Sequence, residues 1–187
     1  MYRTSKEESK ILNQIAAGTP MGDFLRRYWW PVGFSAHLKE KPTYVKVLGE
    51  ELVLFRDRLG QTALIGALCP HRRANLCLGT IAPKGIRCKY HGWLMDSKGA
   101  CLETPGDPDP AFAKSVKHPA YRTQELGGLI FAYMGPEPAP LLPRYDFLVG
   151  EGTSYLTIQG FQDCHWLQCV ENGIDPRSEE HTSELQS

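Results

Sequence analysis

Residues 69–93 read CPHRRANLCLGTIAPKGIRCKYHGW, and they place one cysteine and one histidine at each of two points along the chain. Cys69 and His71 flank Pro70, Cys88 and His91 stand three positions apart, and sixteen residues separate His71 from Cys88. Two such loops facing each other would present two thiolates and two imidazoles to one centre. Structural zinc accepts that donor set, but its usual finger order is a cysteine pair followed by a histidine pair. Here each loop supplies one of each, which suits a [2Fe-2S] cluster with both cysteines on one iron and both histidines on the other. The bland alternative is four unrelated core residues. Neutral imidazoles in place of two thiolates leave such a cluster less negative, so one-electron transfer is the expected task. Pro70, Gly79, Gly85 and Gly92 suit tight loops whose N–H groups point at sulfides, while Tyr90 and Trp93 either shield the centre or simply pack.

The rest of the composition narrows the setting. A chain of 187 residues, 42% hydrophobic and 10% aromatic, has room for one full domain and part of another, with a buried core. Lys plus Arg and Asp plus Glu number 21 each, so no overall field favours nucleic acid or an anionic membrane, and neither is expected as a partner. The charged start lacks a signal-peptide core, and no window approaches the roughly 18 uninterrupted apolar residues of a membrane span. A cytoplasmic protein is expected, and its six cysteines are read as reduced thiols or metal ligands.

Residues 4–17 read as a helix with a Ser5/Glu8 capping box, an apolar face of Ile11, Leu12 and Ile15, and a stop at Gly18. A second short helix begins near Pro20 and turns Met21, Phe24 and Leu25 inward, with Arg26 and Arg27 more polar, before YWWPVGF breaks the pattern at Pro31. Trp29 and Trp30 are read as core packing. From Thr43 the period changes: TYVKVLG, ELVLFRD, TALIGALC, GACLETP and GLIFAYMG read as strands of a small antiparallel domain. GDPDP at 106–110 is a loop, and four prolines within 135–147 make a linker. Beyond it TSYLTIQG reads as a strand and DCHWLQCVENGI as the opening of a helix.

Outside the cluster loops, GTPMGDFLRRYWWPVG, CPHRRANL, RCKYHGW, LGGLIFAYMGP and WLQCVENGID resemble the N-terminal half of Rieske non-haem iron aromatic ring-hydroxylating oxygenase α subunits. The phthalate dioxygenase-like branch is the nearest, from about Gly18 to Asp175. The resemblance implies a mainly β protein. A helical lead (1–40) precedes an antiparallel Rieske [2Fe-2S] domain (41–136), followed by a proline-rich linker (137–150) and the truncated start of an α+β catalytic domain (151–176). It implies that Cys69, His71, Cys88 and His91 hold the [2Fe-2S] cluster. In the full-length parent the cluster would feed a mononuclear Fe(II), which activates O2 against a small aromatic or related substrate by hydroxylation or demethylation. An NADH-dependent flavin/iron-sulfur reductase and a homotrimer are the implied partners. Respiratory Rieske proteins carry a disulfide beside the cluster; here Pro70, Arg72 and Lys89 occupy the loops, so Cys77, Cys101, Cys164 and Cys169 are expected to be unpaired thiols.

Asp175 falls where the family carries an aspartate that bridges a cluster histidine to an iron-ligand histidine of the neighbouring subunit; the plain alternative is a helix-end aspartate beside Pro176. The family then requires a histidine three residues later and another four or five beyond. Ser178, Glu179, Glu180, Thr182 and Ser183 stand there, His181 is out of register, and His165 is not counted as a ligand, so the mononuclear iron ligands are absent from this chain. The last residues, RSEEHTSELQS at 177–187, read as the translation of a common sequencing-adapter DNA and are expected to be foreign to the natural protein. A stand-alone Rieske ferredoxin and a zinc-bound structural module are the competing functions. The N-terminal helices and the residues after Pro143 exceed what a ferredoxin needs, and a zinc module would be colourless.

Overall fold

The computed structural model describes residues 5–107, 109–152 and 163–174, which fall in two compact units, Met1–Gly152 and Thr153–Ser187. In the first unit Ser5 and Glu8 form the expected capping box at the start of α1 (Lys6–Asn13). The helix is shorter than expected because Gln14 turns to extended backbone, and no residue of α1 is buried. With only two turns it covers no core, so Ile11 and Leu12 stay exposed.

Thr19 caps α2 (Pro20–Leu25), with Pro20 in the first turn. The expected sidedness fails at two positions: Phe24 is 52% exposed and Arg26 only 5%. Arg26 is buried because its guanidinium finds acceptors on every side. It donates to the carbonyls of Ile15, Gly22 and Leu48 and to the Glu50 carboxylate at 2.7 Å. A buried charge is tolerated only when so paired.

The stretch expected to break at Pro31 is a strand, β1 (Trp29–Phe34), so the segment read as a helical lead contributes to the sheet. Proline is accommodated because β1 is an edge strand and shifts register between Pro31 and Gly33. Trp30 packs against the core as expected. Both tryptophans stay half-buried, each indole N–H donating to a carbonyl, Trp29 to Pro140 and Trp30 to Leu25.

Next come β2 (Thr43–Val47), β3 (Glu50–Arg56) and β4 (Thr62–Gly66), where the apolar runs place them. Three short strands follow, β5 (Thr80–Ala82), β6 (Gly85–Arg87) and β7 (Leu94–Met95), and then β8 (Cys101–Glu103). A short helix α3 (Pro110–Ser115) precedes β9 (Ala120–Leu126) and β10 (Leu129–Tyr133). All pairings are antiparallel, in a six-stranded sheet of order β1-β10-β9-β4-β3-β2 and a four-stranded sheet of order β5-β6-β7-β8. The middles of β3 (Leu52 to Phe55) and β4 (Ala63 to Ile65) are continuously apolar because both faces are covered there. Val53, Phe55, Ala63 and Ile65 face a cluster with Leu76, Ile86 and Met95; Leu52, Leu54 and Leu64 face another with Val32, Ile130 and Ala132.

The proline-rich segment holds no regular element until α4 (Asp146–Val149), which occupies the end of the stretch read as linker and buries Leu148. In the second unit α5 (Trp166–Ile174) is the helix expected there. The strand expected at 153–160, Asp175 and the tail at 177–187 lie outside the described residues. Among the described residues no helix is long and apolar enough to cross a membrane.

Candidate metal centre

The two cysteine–histidine loops leave different sheets yet close in the same way. The first follows β4 and is clasped by a bridge between Leu68 and Asn75; the second joins β6 to β7. In the first, the Cys69 N–H donates to the Ala74 carbonyl and the Arg73 N–H to the Cys69 carbonyl, both at 2.9 Å. In the second, the Cys88 N–H donates to Trp93 at 2.8 Å and the Gly92 N–H to Cys88 at 3.0 Å. Each loop thus returns on its own cysteine, with the fourth residue after it left-handed: Arg73 at φ 56° and Gly92 at φ 75°.

Glycine adopts that backbone freely, whereas a residue with a Cβ is strained by roughly 1–2 kcal/mol. Gly92→Ala is therefore expected to destabilise the fold by about 1 kcal/mol, the more so because the new Cβ would meet Pro105 at 3.2 Å. Arg73→Gly should be neutral or slightly stabilising, and paired denaturant titrations check the opposite signs.

The loops present their donors at two depths. Cys69 and Cys88 are 2% and 3% exposed and belong to the core cluster. Their thiols lie within hydrogen-bonding reach of each other. His71 and His91 are exposed, with ring centroids 4.6 Å apart at 65°. Burial pushes the Cys69 thiol up, opposed by hydrogen bonds from the backbone of His71 and Arg72, and the neighbouring Cys88 adds to the rise. Partial desolvation, His91 and Arg72 together hold the His71 imidazole below its ordinary value, in the neutral form a metal requires.

A sulfur pair inside and a nitrogen pair outside fit a two-iron cluster, one pair to each metal. Among the described residues no three of the His, Cys, Asp and Glu side chains gather as a single ion would need.

Neighbours that the sequence left ambiguous or silent complete the centre. Trp93 stacks on His71 at 4.6 Å with planes 4° apart, while Phe112 of α3 meets Trp93 edge-on. Trp93 is therefore both packed and part of the centre, whereas Tyr90 is 62% exposed although its ring meets His91 at 3.8 Å. Arg87 fixes the second loop, donating to the Gly92 carbonyl at 2.7 Å and pairing with Glu103 at 2.6 Å. Its position beside Cys88 was the only available sign of that role. None of Cys77, Cys101, Cys164 and Cys169 forms a disulfide, and the sulfurs of Cys164 and Cys169 lie 3.3 Å apart, within hydrogen-bonding reach. His165 uses its Nδ1 to accept the Leu167 N–H.

His118 supports the first loop from below, with its Nε2 2.8 Å from the Gly66 carbonyl at the end of β4. Burial lowers its pKa, so the folded chain resists its protonation while the unfolded chain takes up a proton near pH 6.5. Above that value the residue contributes no pH slope; below it stability is expected to fall as pH falls towards the lowered folded value. Melting temperatures from pH 8 to pH 5 should show the decline, flattened in His118→Gln.

The Rieske [2Fe-2S] domain family model matches residues 28–120. The chain is 41% identical over 177 residues to the 5,5'-dehydrodivanillate O-demethylase oxygenase subunit of Sphingobium sp. (strain NBRC 103272 / SYK-6), covering 92% of this chain and 42% of that protein. It is 36% identical over 188 residues to the phthalate 4,5-dioxygenase oxygenase subunit of Pseudomonas putida, covering 97% and 42%. Among solved structures, the oxygenase in the reduced oxygenase–ferredoxin complex of carbazole 1,9a-dioxygenase aligns with a TM-score of 0.55 at 30% identity, covering 63% of this chain and 31% of that one. The chain thus spans well under half the length of these relatives.

Proposed function

We infer the function from the family to which this chain belongs: it is a Rieske [2Fe-2S] protein, related to the phthalate dioxygenase-like oxygenase subunits. We propose that it is the electron-transfer part of an oxygenase α subunit, with Cys69 and Cys88 holding the inner iron and His71 and His91 the outer one. The observation that carries this assignment is the duplicated loop closure that sets two buried thiols behind two exposed imidazoles. When bound, the cluster supplies one-electron chemistry. The chain's own residues set the conditions for it. The N–H groups of His71 and Arg72 favour negative charge on the Cys69 sulfur. Trp93 shields one face of His71, and Arg87 keeps the second loop closed.

In the complete enzyme the electron would pass from an NADH-dependent flavin/iron-sulfur reductase through the imidazole edge to a mononuclear iron, with Asp175 bridging the two centres across a homotrimer. The substrate would be a small aromatic or related molecule, hydroxylated or demethylated. The relatives matched above are oxygenase subunits, which weighs against a stand-alone ferredoxin.

The full chain, purified with iron and sulfide, is expected to be brown, to bleach with dithionite and to contain two irons per chain, as a [2Fe-2S] cluster requires. A colourless chain that binds one zinc would overturn the assignment.

A further inference from the structure

A groove of about 780 Å³ opens beside the cluster loops but away from the imidazoles. Lys89, the residue directly after Cys88, reaches it from the second loop, and Cys77 and Leu78 reach it from the turn that follows the first. Lys39, Lys41 and Arg58 line it as well. These four cations are exposed, and among the described residues none of them has an acidic partner. The other charges of the groove are already engaged. Arg56 pairs with Glu125, and the buried Asp57 caps its own turn by accepting the N–H groups of Leu59 and Gln61. Glu40 alone opposes the four cations, in a chain whose charges balance overall. At the rim Leu78 is 68% exposed, an apolar anchor within a cationic ring.

We propose that this groove is the docking surface for the acidic face of the one-electron donor protein, which reduces the cluster from its thiolate side through Lys89 and Cys88. The proposal rests on the electron-transfer reading above. The donor loses one electron, the cluster gains it, and no proton or covalent bond is exchanged. Free cations around a small apolar anchor suit a transient redox partner, because charge raises the encounter rate and orients the approach without forming a tight complex. The solved complex of a related oxygenase with a ferredoxin is a precedent for the class of partner. Separating the groove from the imidazole edge leaves His71 and His91 free for onward transfer.

The test uses the full, cluster-bearing chain and an acidic plant-type [2Fe-2S] ferredoxin as the probe. Calorimetry at low and high salt measures binding of the oxidised probe, and stopped-flow absorbance measures cluster reduction by the reduced probe. Lys41→Glu/Lys89→Glu is expected to weaken binding and slow reduction at low salt by about tenfold or more, a difference that high salt erases. Lys114→Glu, on α3 at the imidazole side, should change neither by more than about twofold. An unchanged affinity and salt response in the double variant, equal weakening by Lys114→Glu, or no binding by the wild type would overturn the docking assignment while the brown colour keeps the cluster assignment intact. A salt-sensitive dimer formed in place of the ferredoxin complex would give the groove to a second copy of the chain and overturn it too. A colourless wild-type chain overturns the cluster reading itself.

Discussion

Cys88→Ser is expected to leave a folded chain with less than about a tenth of the wild-type iron and none of its visible colour. The reason lies in how the two sulfurs are placed. Both are almost fully buried and within reach of each other, so serine there would offer a neutral hydroxyl where an anionic ligand is needed. The loop itself should survive, because its closure uses only main-chain groups, the Cys88 N–H to Trp93 and the Gly92 N–H to Cys88. Circular dichroism should therefore stay near wild type while iron analysis and the electron paramagnetic signal collapse. His91→Cys separates ligation from packing. It exchanges a neutral imidazole for a thiolate, so any cluster that assembles should be harder to reduce, by on the order of hundreds of millivolts. If Cys88→Ser retained full iron and colour, the centre would have to be held by other residues.

The candidate ligand set could be read from spacing alone. Two cysteine–histidine pairs on tight loops require no knowledge of the sheets beneath them, and the apolar runs of β3 and β4 marked them as strands. Other features are invisible in a one-dimensional reading for identifiable reasons. The strands β5 to β7 are two or three residues long and show no period, while β9, AYRTQEL, is mostly polar and carries no apolar run to mark it. Pro31 argued for a break, and only the edge position of β1 makes it acceptable as a strand residue. The likeness of the two cluster loops was hidden because one uses glycine and the other arginine at the left-handed position, and because histidine follows cysteine by two residues in one and three in the other. Arg26 was placed on the polar side of α2, since nothing local reveals the carbonyls and the carboxylate that converge on it.

That convergence carries the second large effect: Glu50→Ala is expected to lower stability by about 2–3 kcal/mol, a melting-temperature drop of roughly 5–10 °C. Glu50 accepts from Arg26 with one oxygen and from the Tyr121 hydroxyl with the other, tying α2 and β9 to the start of β3. Burial, and then the Glu50 carboxylate, push the Tyr121 hydroxyl well above its ordinary value, so it remains a donor at any working pH. Truncation leaves a buried guanidinium without its counter-charge and a half-buried hydroxyl without its acceptor. The loss stays below that of a fully buried pair because the Glu50 side chain is 27% exposed and water can enter. Glu50→Gln gives up the charge but keeps one accepting oxygen for Arg26 and an NH2 that can donate to the Tyr121 oxygen, so it should lose about half as much. Tyr121→Phe combined with Glu50→Ala should be less than additive, since both remove the same bond. Because Arg26 also holds the Ile15 and Gly22 carbonyls, the weakened variant should release the N-terminal helices first. Limited proteolysis is then expected to cleave before residue 29 while the cluster colour persists. Simultaneous loss of colour and of the N-terminal segment would show instead that the two ends of the sheet unfold as one unit.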